Sequence, residues 1–310
     1  MEIFVSLDLN ESQIARLRDI AGVNAIQFHG EFTRDAPVEI SFVSSEIVLG
    51  NVPSGWLTTT TALRWMQLES VGFGEYLQHD WDELGKQVTV TNLAGFFAEP
   101  VAESALAGIL ALYRGIDRVV QLQQTRDWQG DGLRRNLKTL HGANVVLFGF
   151  GSINQRFAEL LTPFRCEVKH FGRDWTPRAL DAALSEADVI VATAPETPAT
   201  IGVFDEARLG LCKDSAVLVN FGRGSVVAED ALAKALLRKQ LSGAVVDVTM
   251  REPLPEDHLF WTCPNIIISQ HSGGGTADEM DRKIAVFAHN LARYCEGQPL
   301  VGVVDFARGY

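Results

Sequence analysis

The stretch Val145-Val-Leu-Phe-Gly-Phe-Gly-Ser-Ile-Asn-Gln-Arg-Phe157 decides the fold. Its first four residues are apolar on both faces, as a strand covered by helices on either side requires. Gly149 and Gly151 permit a tight turn, after which Ile153, Phe157, Leu160 and Leu161 recur at helical spacing. A strand, a glycine turn and an amphipathic helix in this order suit a dinucleotide, because the helix N-terminal amides face its pyrophosphate. A plain strand-to-helix turn is the competing reading. Where the fingerprint has its third glycine this chain has Asn154, which either pushes the helix outward or adds a hydrogen bond.

Further apolar runs follow at Val189–Ala192, Ala216–Val219, Ala244–Val248 and Ile266–Ile268, with a weaker strand candidate at Cys166–Phe171. Helix-like segments separate several of them, so residues 97–280 read as a doubly wound, parallel-sheet (Rossmann) dinucleotide-binding domain. A long helix opens it at Glu99, with Pro100 in the first turn and a stripe of Leu106, Ile109, Leu110 and Tyr113. Residues 1–96 alternate short strands (Glu2–Leu7, Ala25–Phe28, Ile47–Leu49, Trp65–Leu68) with a helix near Ser12–Ala21, which indicates a smaller α/β substrate domain. Residues 281–310 should complete that domain through a helix and a strand at Val301–Val304. The helix has a capping-box start, Thr276-Ala-Asp-Glu279, and a stripe of Met280, Ile284, Phe287 and Leu291. The dinucleotide domain would then be inserted in the smaller one, with the active site in the cleft.

The composition narrows the function. With 27 Lys and Arg against 39 Asp and Glu, the net charge of −12 argues against a nucleic-acid partner. The four cysteines, Cys166, Cys212, Cys263 and Cys295, have no metal-ligand spacing and no disulfide framework, so no metal site is expected. No apolar stretch approaches the ~20 residues that span a bilayer, and the N-terminal segment reads as a strand, so a cytoplasmic location is expected.

Three polar residues fall just beyond the carboxyl ends of predicted strands, where open α/β sheets bind ligands: Arg223, Glu252 and His271. Each alone reads as a surface charge, a loop carboxylate or a satisfied histidine; converging on one edge, they suffice for carbonyl reduction. An arginine binds a carboxylate through paired hydrogen bonds, a histidine exchanges a proton with the oxygen, and a carboxylate orients the ring. After the strand ending at Phe171, Gly172-Arg173-Asp174 lacks the acid that would bind a ribose 2′-hydroxyl. Arg173 can pair instead with a 2′-phosphate, which favours NADP(H) over NAD(H). A shifted register with Asp174 binding NAD, or a solvated Arg173, is the alternative.

Val219-Asn-Phe-Gly-Arg-Gly-Ser-Val226, Gly243-Ala-Val-Val-Asp247 with Glu252-Pro-Leu254, and Ser269-Gln-His-Ser-Gly-Gly274 resemble the signature regions of the D-isomer-specific 2-hydroxyacid dehydrogenases. The similarity extends to Ala187-Asp-Val-Ile190 with Pro195 and Thr200, to Ala98-Glu-Pro-Val-Ala-Glu103 and to the loop Glu69-Ser-Val-Gly72. The resemblance implies that Arg223 binds the substrate carboxylate, that His271 is the acid/base and that Glu252 completes the dyad. It implies that Ser152 and Ile153 offer amides to the pyrophosphate, and that Asp247 holds the nicotinamide carboxamide. Phe221, Gly222 and Gly273 would line the same cofactor, and the amides of Val71 and Gly72 would cradle the substrate carboxylate. It also implies a homodimer centred on the helix after Glu99, and an enzyme of the glyoxylate/hydroxypyruvate reductase kind. The chain departs from the family at Thr249-Met250, where an aromatic and an acid are usual, and at Gln270, where proline is usual. Phe73, Phe96 and Phe97 suggest either an apolar side pocket or core packing. The rival from another class is a catalytically weak dinucleotide-sensing protein on the same fold, against which the intact triad argues.

Overall fold

In the computed structural model, described over residues 1–307, the chain forms two compact units. One comprises Met1–Phe96 together with the chain from Thr276 onward, the other Phe97–Gly275. Each is built on a parallel sheet with helices, the α/β class that the alternating sequence pattern implies.

The larger unit carries β6 (Asn144–Phe148), β7 (Glu167–Phe171), β8 (Val189–Ala192), β9 (Val217–Asn220), β10 (Gly243–Val246) and β11 (Ile266–Ile268), in the order β11-β10-β9-β8-β6-β7. These are the apolar runs of the sequence, displaced by at most two residues at either end. Alternate side chains feed two cores. Val146, Phe148, Ile190 and Leu218 pack with Leu180, Leu184, Leu232 and Leu236 on one face. Val145, Leu147, Val191 and Val219 pack with Ile109, Phe157 and Leu161 on the other. Each such side chain contributes roughly 1.5–3 kcal/mol by leaving water, which is why β8 and β9 have no exposed residue. The helix Ala98–Arg114 lies on the second face; it buries Val101, Ala102, Ala105, Ile109 and Tyr113, while Leu106 and Leu110 sit at the margin of its stripe. At Gly108 a Cβ would come 2.6 Å from Val245, so only glycine lets the helix approach β10 this closely.

The smaller unit has β1 (Glu2–Ser6), β2 (Ala25–His29), β3 (Ile47–Gly50), β4 (Trp65–Gln67) and β5 (Thr89–Thr91), ordered β2-β1-β3-β4-β5. This is the flavodoxin-like order. The helix Glu279–Cys295 buries Ile284, Phe287 and Leu291 against β1, β3 and Trp65.

Two expectations for this unit fail. Val301–Val304 is not a strand: only an isolated antiparallel bridge, Thr91 to Val303, forms there. The main chain of Val301 is instead satisfied by one side chain, its N–H donating to Asn290 Oδ1 and its carbonyl accepting from Nδ2, each at 2.9 Å. The capping box at Thr276 does not close either. Thr276 Oγ1 accepts from Arg282, and Glu279 pairs with Lys283 at 2.9 Å, leaving Asp278 as an N-cap without a side-chain bond. Among the described residues no helix is long and apolar enough to cross a membrane.

Candidate active site

The sheet order of the larger unit reverses between β6 and β8, which leave in opposite directions, and a crevice opens at such a switch point. The register aligns Phe148 with Phe171 and Ala192, Ala192 with Asn220, and Asn220 with Val246. Val246 aligns in turn with Ile268, so the connections leaving all six strands begin at one level, and every candidate residue of this unit lies in one of them or in the first turn of the helix Ser152–Leu161.

The first loop is shaped by two glycines with different duties. Gly149 has φ +84°, and a Cβ there would meet the Ala194 backbone at 2.6 Å, so the turn packs main chain against main chain. At Gly151 a Cβ would meet nothing within 4 Å, which leaves room before the helix Ser152–Leu161. No side chain caps that helix, so the amides of its first turn, including those of Ser152 and Ile153, retain their attraction for an anion. A dinucleotide pyrophosphate fits this cradle.

Asn154 settles the alternative left by the sequence in favour of a hydrogen bond. It is fully buried, and its Nδ2 donates to the carbonyl of Gly149 at 2.7 Å and, at 3.3–3.4 Å, to those of Val191 and Phe148. It therefore ties the glycine turn to β8. Its Oδ1 is buried without a partner, an unpaired acceptor that the three donated bonds must offset.

β7 ends at Phe171, so Gly172 and Arg173 follow immediately, with the Asp174 carboxylate folded back beside Gly172. Pro195 and Thr200 belong to one turn after β8: the Thr200 hydroxyl donates to the Pro195 carbonyl at 2.6 Å and accepts from the Thr197 amide. Gly222 lies against the Ala194 carbonyl, 2.7 Å from where its Cβ would stand, and its amide donates to Asn220.

Asp247, buried after β10, organises the histidine loop. Its Oδ1 accepts from Ser269 Oγ at 2.6 Å and from the Gly273 amide at 3.0 Å, and its carbonyl accepts from the His271 amide at 2.6 Å. Gly273 also fits where a Cβ would overlap the Phe221 ring. Gln270 and His271 both take left-handed backbone angles, φ +57° and +55°. Such angles cost about 1–3 kcal/mol each, which the bonds to Asp247 offset. A proline, fixed near φ of about −65°, could not stand at Gln270 in this loop.

His271 meets Glu252 here. Its Nδ1–H donates to Glu252 Oε2 at 2.7 Å, and Oε1 accepts from the Thr249 amide at 3.0 Å. Partial burial would raise the Glu252 carboxyl, but the His271 bond, the Thr249 amide and the charges of His271 and Arg223 together hold it below the usual carboxylate range. Arg223 is exposed on the loop after β9, anchored by Nη1 to the Gly222 carbonyl at 2.7 Å and by its own carbonyl to Asn220. Its charge is felt at Glu252, so the three predicted residues form one electrostatic neighbourhood.

Val71 and Gly72 belong to the other unit. There Asn92 donates to the Val71 carbonyl and Ser70 to the Gly72 carbonyl, each at 2.7 Å, fixing the loop. Next to them burial raises the Glu69 carboxyl, despite the opposing charge of Lys283. Phe73 is core, edge-on to Phe306, and Phe97 packs under Gly274. Sequence reasoning missed Gly224, Ser269 and Asn220. Gly224 carried a signal, since it follows the arginine directly and its Cβ would overlap the Thr249 carbonyl group.

An open parallel sheet with this glycine cradle at its switch point defines a dinucleotide-binding domain. Residues 106–273 match the family described as "D-isomer specific 2-hydroxyacid dehydrogenase, NAD binding domain", and the chain belongs to that family of oxidoreductases. It is 30% identical over 261 residues to glyoxylate/hydroxypyruvate reductase B of Pectobacterium atrosepticum, a match covering 80% of this chain and 81% of the relative. It is 28% identical over 226 residues to the glyoxylate reductase of Pyrococcus furiosus, covering 68% and 67%. The crystal structure of a D-isomer specific 2-hydroxyacid dehydrogenase family protein from Aeromonas salmonicida superposes with a TM-score of 0.81 at 27% identity, over 98% of this chain and 99% of that one.

Proposed function

We propose that this protein reduces a small 2-keto acid, of the glyoxylate or hydroxypyruvate kind, to the D-2-hydroxy acid. The observation that carries this reading is the 2.7 Å bond between His271 and Glu252 within the field of Arg223, at the carboxyl edge of a dinucleotide-binding sheet. A nicotinamide dinucleotide, which the Gly149–Asn154 cradle and Asp247 would hold, would supply the hydride for the C2 carbonyl. Arg223 pairs with the substrate carboxylate and sets the position of C2. With Nδ1–H engaged by Glu252, the other ring nitrogen of His271 is left to give its proton to the carbonyl oxygen as negative charge develops there. Glu252, ionised, stabilises the imidazolium before that transfer and keeps the ring in one orientation.

Arg173 supports NADPH as the cofactor, since a guanidinium two residues past the end of β7 suits a 2′-phosphate and no acid stands at Gly172. A homodimer is supported by Ile116, Val119 and Val120, apolar and 41–52% exposed on the helix that follows Ala98–Arg114. The four free thiols suit a reducing compartment, in keeping with the cytoplasm.

The test is oxidation of NADPH and of NADH with glyoxylate, hydroxypyruvate, pyruvate and phenylpyruvate at pH 6–8. Turnover of a small keto acid with NADPH preferred is expected. Preference for NADH would overturn the cofactor assignment alone. Tight cofactor binding with no turnover of any keto acid would overturn the reaction and leave a dinucleotide sensor.

A further inference from the structure

A second histidine–carboxylate pair stands behind the first. Glu229 opens the helix Glu229–Leu237, six residues after Arg223, and its Oε2 lies 3.2 Å from Nε2 of His258. The Phe260 amide donates to His258 Nδ1 at 3.2 Å, so the proton of a neutral ring sits on Nε2, the nitrogen that Glu229 approaches. The other oxygen of Glu229 accepts from the Met250 amide at 2.7 Å. Two consecutive amides are thus divided between two carboxylates, Thr249 to Glu252 and Met250 to Glu229. On the same stretch, the Gly224 main chain abuts Thr249 and Met250 where any Cβ would overlap them.

We propose that Glu229 and His258 are positioning residues, a clamp on the Thr249–Met250 backbone that holds Glu252 at the distance His271 requires. This rests on the reaction proposed above. The side chain of Glu252 is 38% exposed and that of His271 56%, so little packing immobilises either of them. Met250 is 64% exposed and gives its loop little anchorage of its own. Glu229 and His258, at 15% and 20%, are the better enclosed pair, and His258 is itself held by the Phe260 amide beside a fully buried ring. The clamp joins the loop bearing Arg223 to the loop bearing Glu252, so one bond coordinates two parts of the triad.

The experiment compares wild type with Glu229→Ala, Glu229→Gln and His258→Phe. It reads amide exchange across residues 249–252 in the cofactor-free protein, the affinity for NADPH, and kcat and KM for glyoxylate. In Glu229→Ala we expect the Met250 amide to lose its protection and kcat to fall about tenfold, with NADPH affinity within about twofold of wild type. Glu229→Gln keeps an acceptor for that amide and should recover kcat to within about threefold. His258→Phe keeps the ring volume, should lie between the two, and serves if Glu229→Ala does not fold. Unchanged Met250 exchange in Glu229→Ala overturns the clamp whatever the activity. So does a restored amide in Glu229→Gln without restored kcat. If the wild type is inert with every keto acid, the proposed reaction fails, and lost Met250 protection in Glu229→Ala still supports the clamp on the loop.

Discussion

The pairs His271–Glu252 and His258–Glu229 use the same two residue types, at 2.7 and 3.2 Å, on connections between strands of the same sheet, and differ in what surrounds them. The first is open, with the second ring nitrogen of its histidine left for a substrate. The second is enclosed, with one ring nitrogen bonded to the Phe260 amide and the other in contact with Glu229. Proton exchange needs a ring nitrogen that a substrate can reach, whereas supporting a carboxylate that holds a backbone needs an enclosed ring. Side-chain identity is therefore a poor guide to role here, and the enclosure of the pair is a better one.

The largest effect expected on this comparison comes from His271→Ala, which should lower turnover about a thousandfold and leave NADPH affinity nearly unchanged. A loss of similar size in His258→Phe would erase the distinction between the pairs. Glu252→Gln should follow at about a hundredfold, because the amide no longer stabilises an imidazolium. Gly224→Ala comes next: the added carbon displaces the Thr249 backbone and should cost about tenfold in kcat, with a lower Tm. The smallest effect is on pH dependence. The Glu252 carboxyl lies below its usual value of 4.5, so its contribution to stability is complete above that pH and is lost as pH falls through the lowered value. Thermal melts from pH 6 down to pH 3 should therefore show a shallower acid loss in Glu252→Gln than in wild type. Between pH 6 and 8 its ionisation should leave no mark on the rate.

The architecture of the larger unit was legible because its strands are buried on both faces, which writes continuous apolar runs into the sequence and leaves glycines where loops must touch. The smaller unit was less so. Thr89–Thr91 has three residues, too few for any period to register, and it became β5 through pairing with β4. Val301–Val304 has strand composition, yet Asn290, eleven residues earlier, takes the main-chain groups of Val301 that a ladder would have used. Arg223, Glu252 and His271 were visible as polar residues after apolar runs. Their partners were not: Asn154 shows as a missing glycine, but only the fold reveals the carbonyls its amide reaches. The clamp from Glu229 to Met250 spans 21 residues and ends on a backbone amide, which has no sequence signature. The left-handed angle at Gln270 was hinted at by a proline that is absent.

The central claim is that His271, oriented by Glu252, delivers a proton to a keto acid held by Arg223. Its most direct test is a single-turnover measurement, mixing the NADPH-loaded enzyme with glyoxylate and following nicotinamide absorbance in wild type and His271→Ala. A fast decay in wild type that falls about a thousandfold in the variant, at equal NADPH occupancy, is the result this account predicts. Equal decay rates in the two proteins would contradict it.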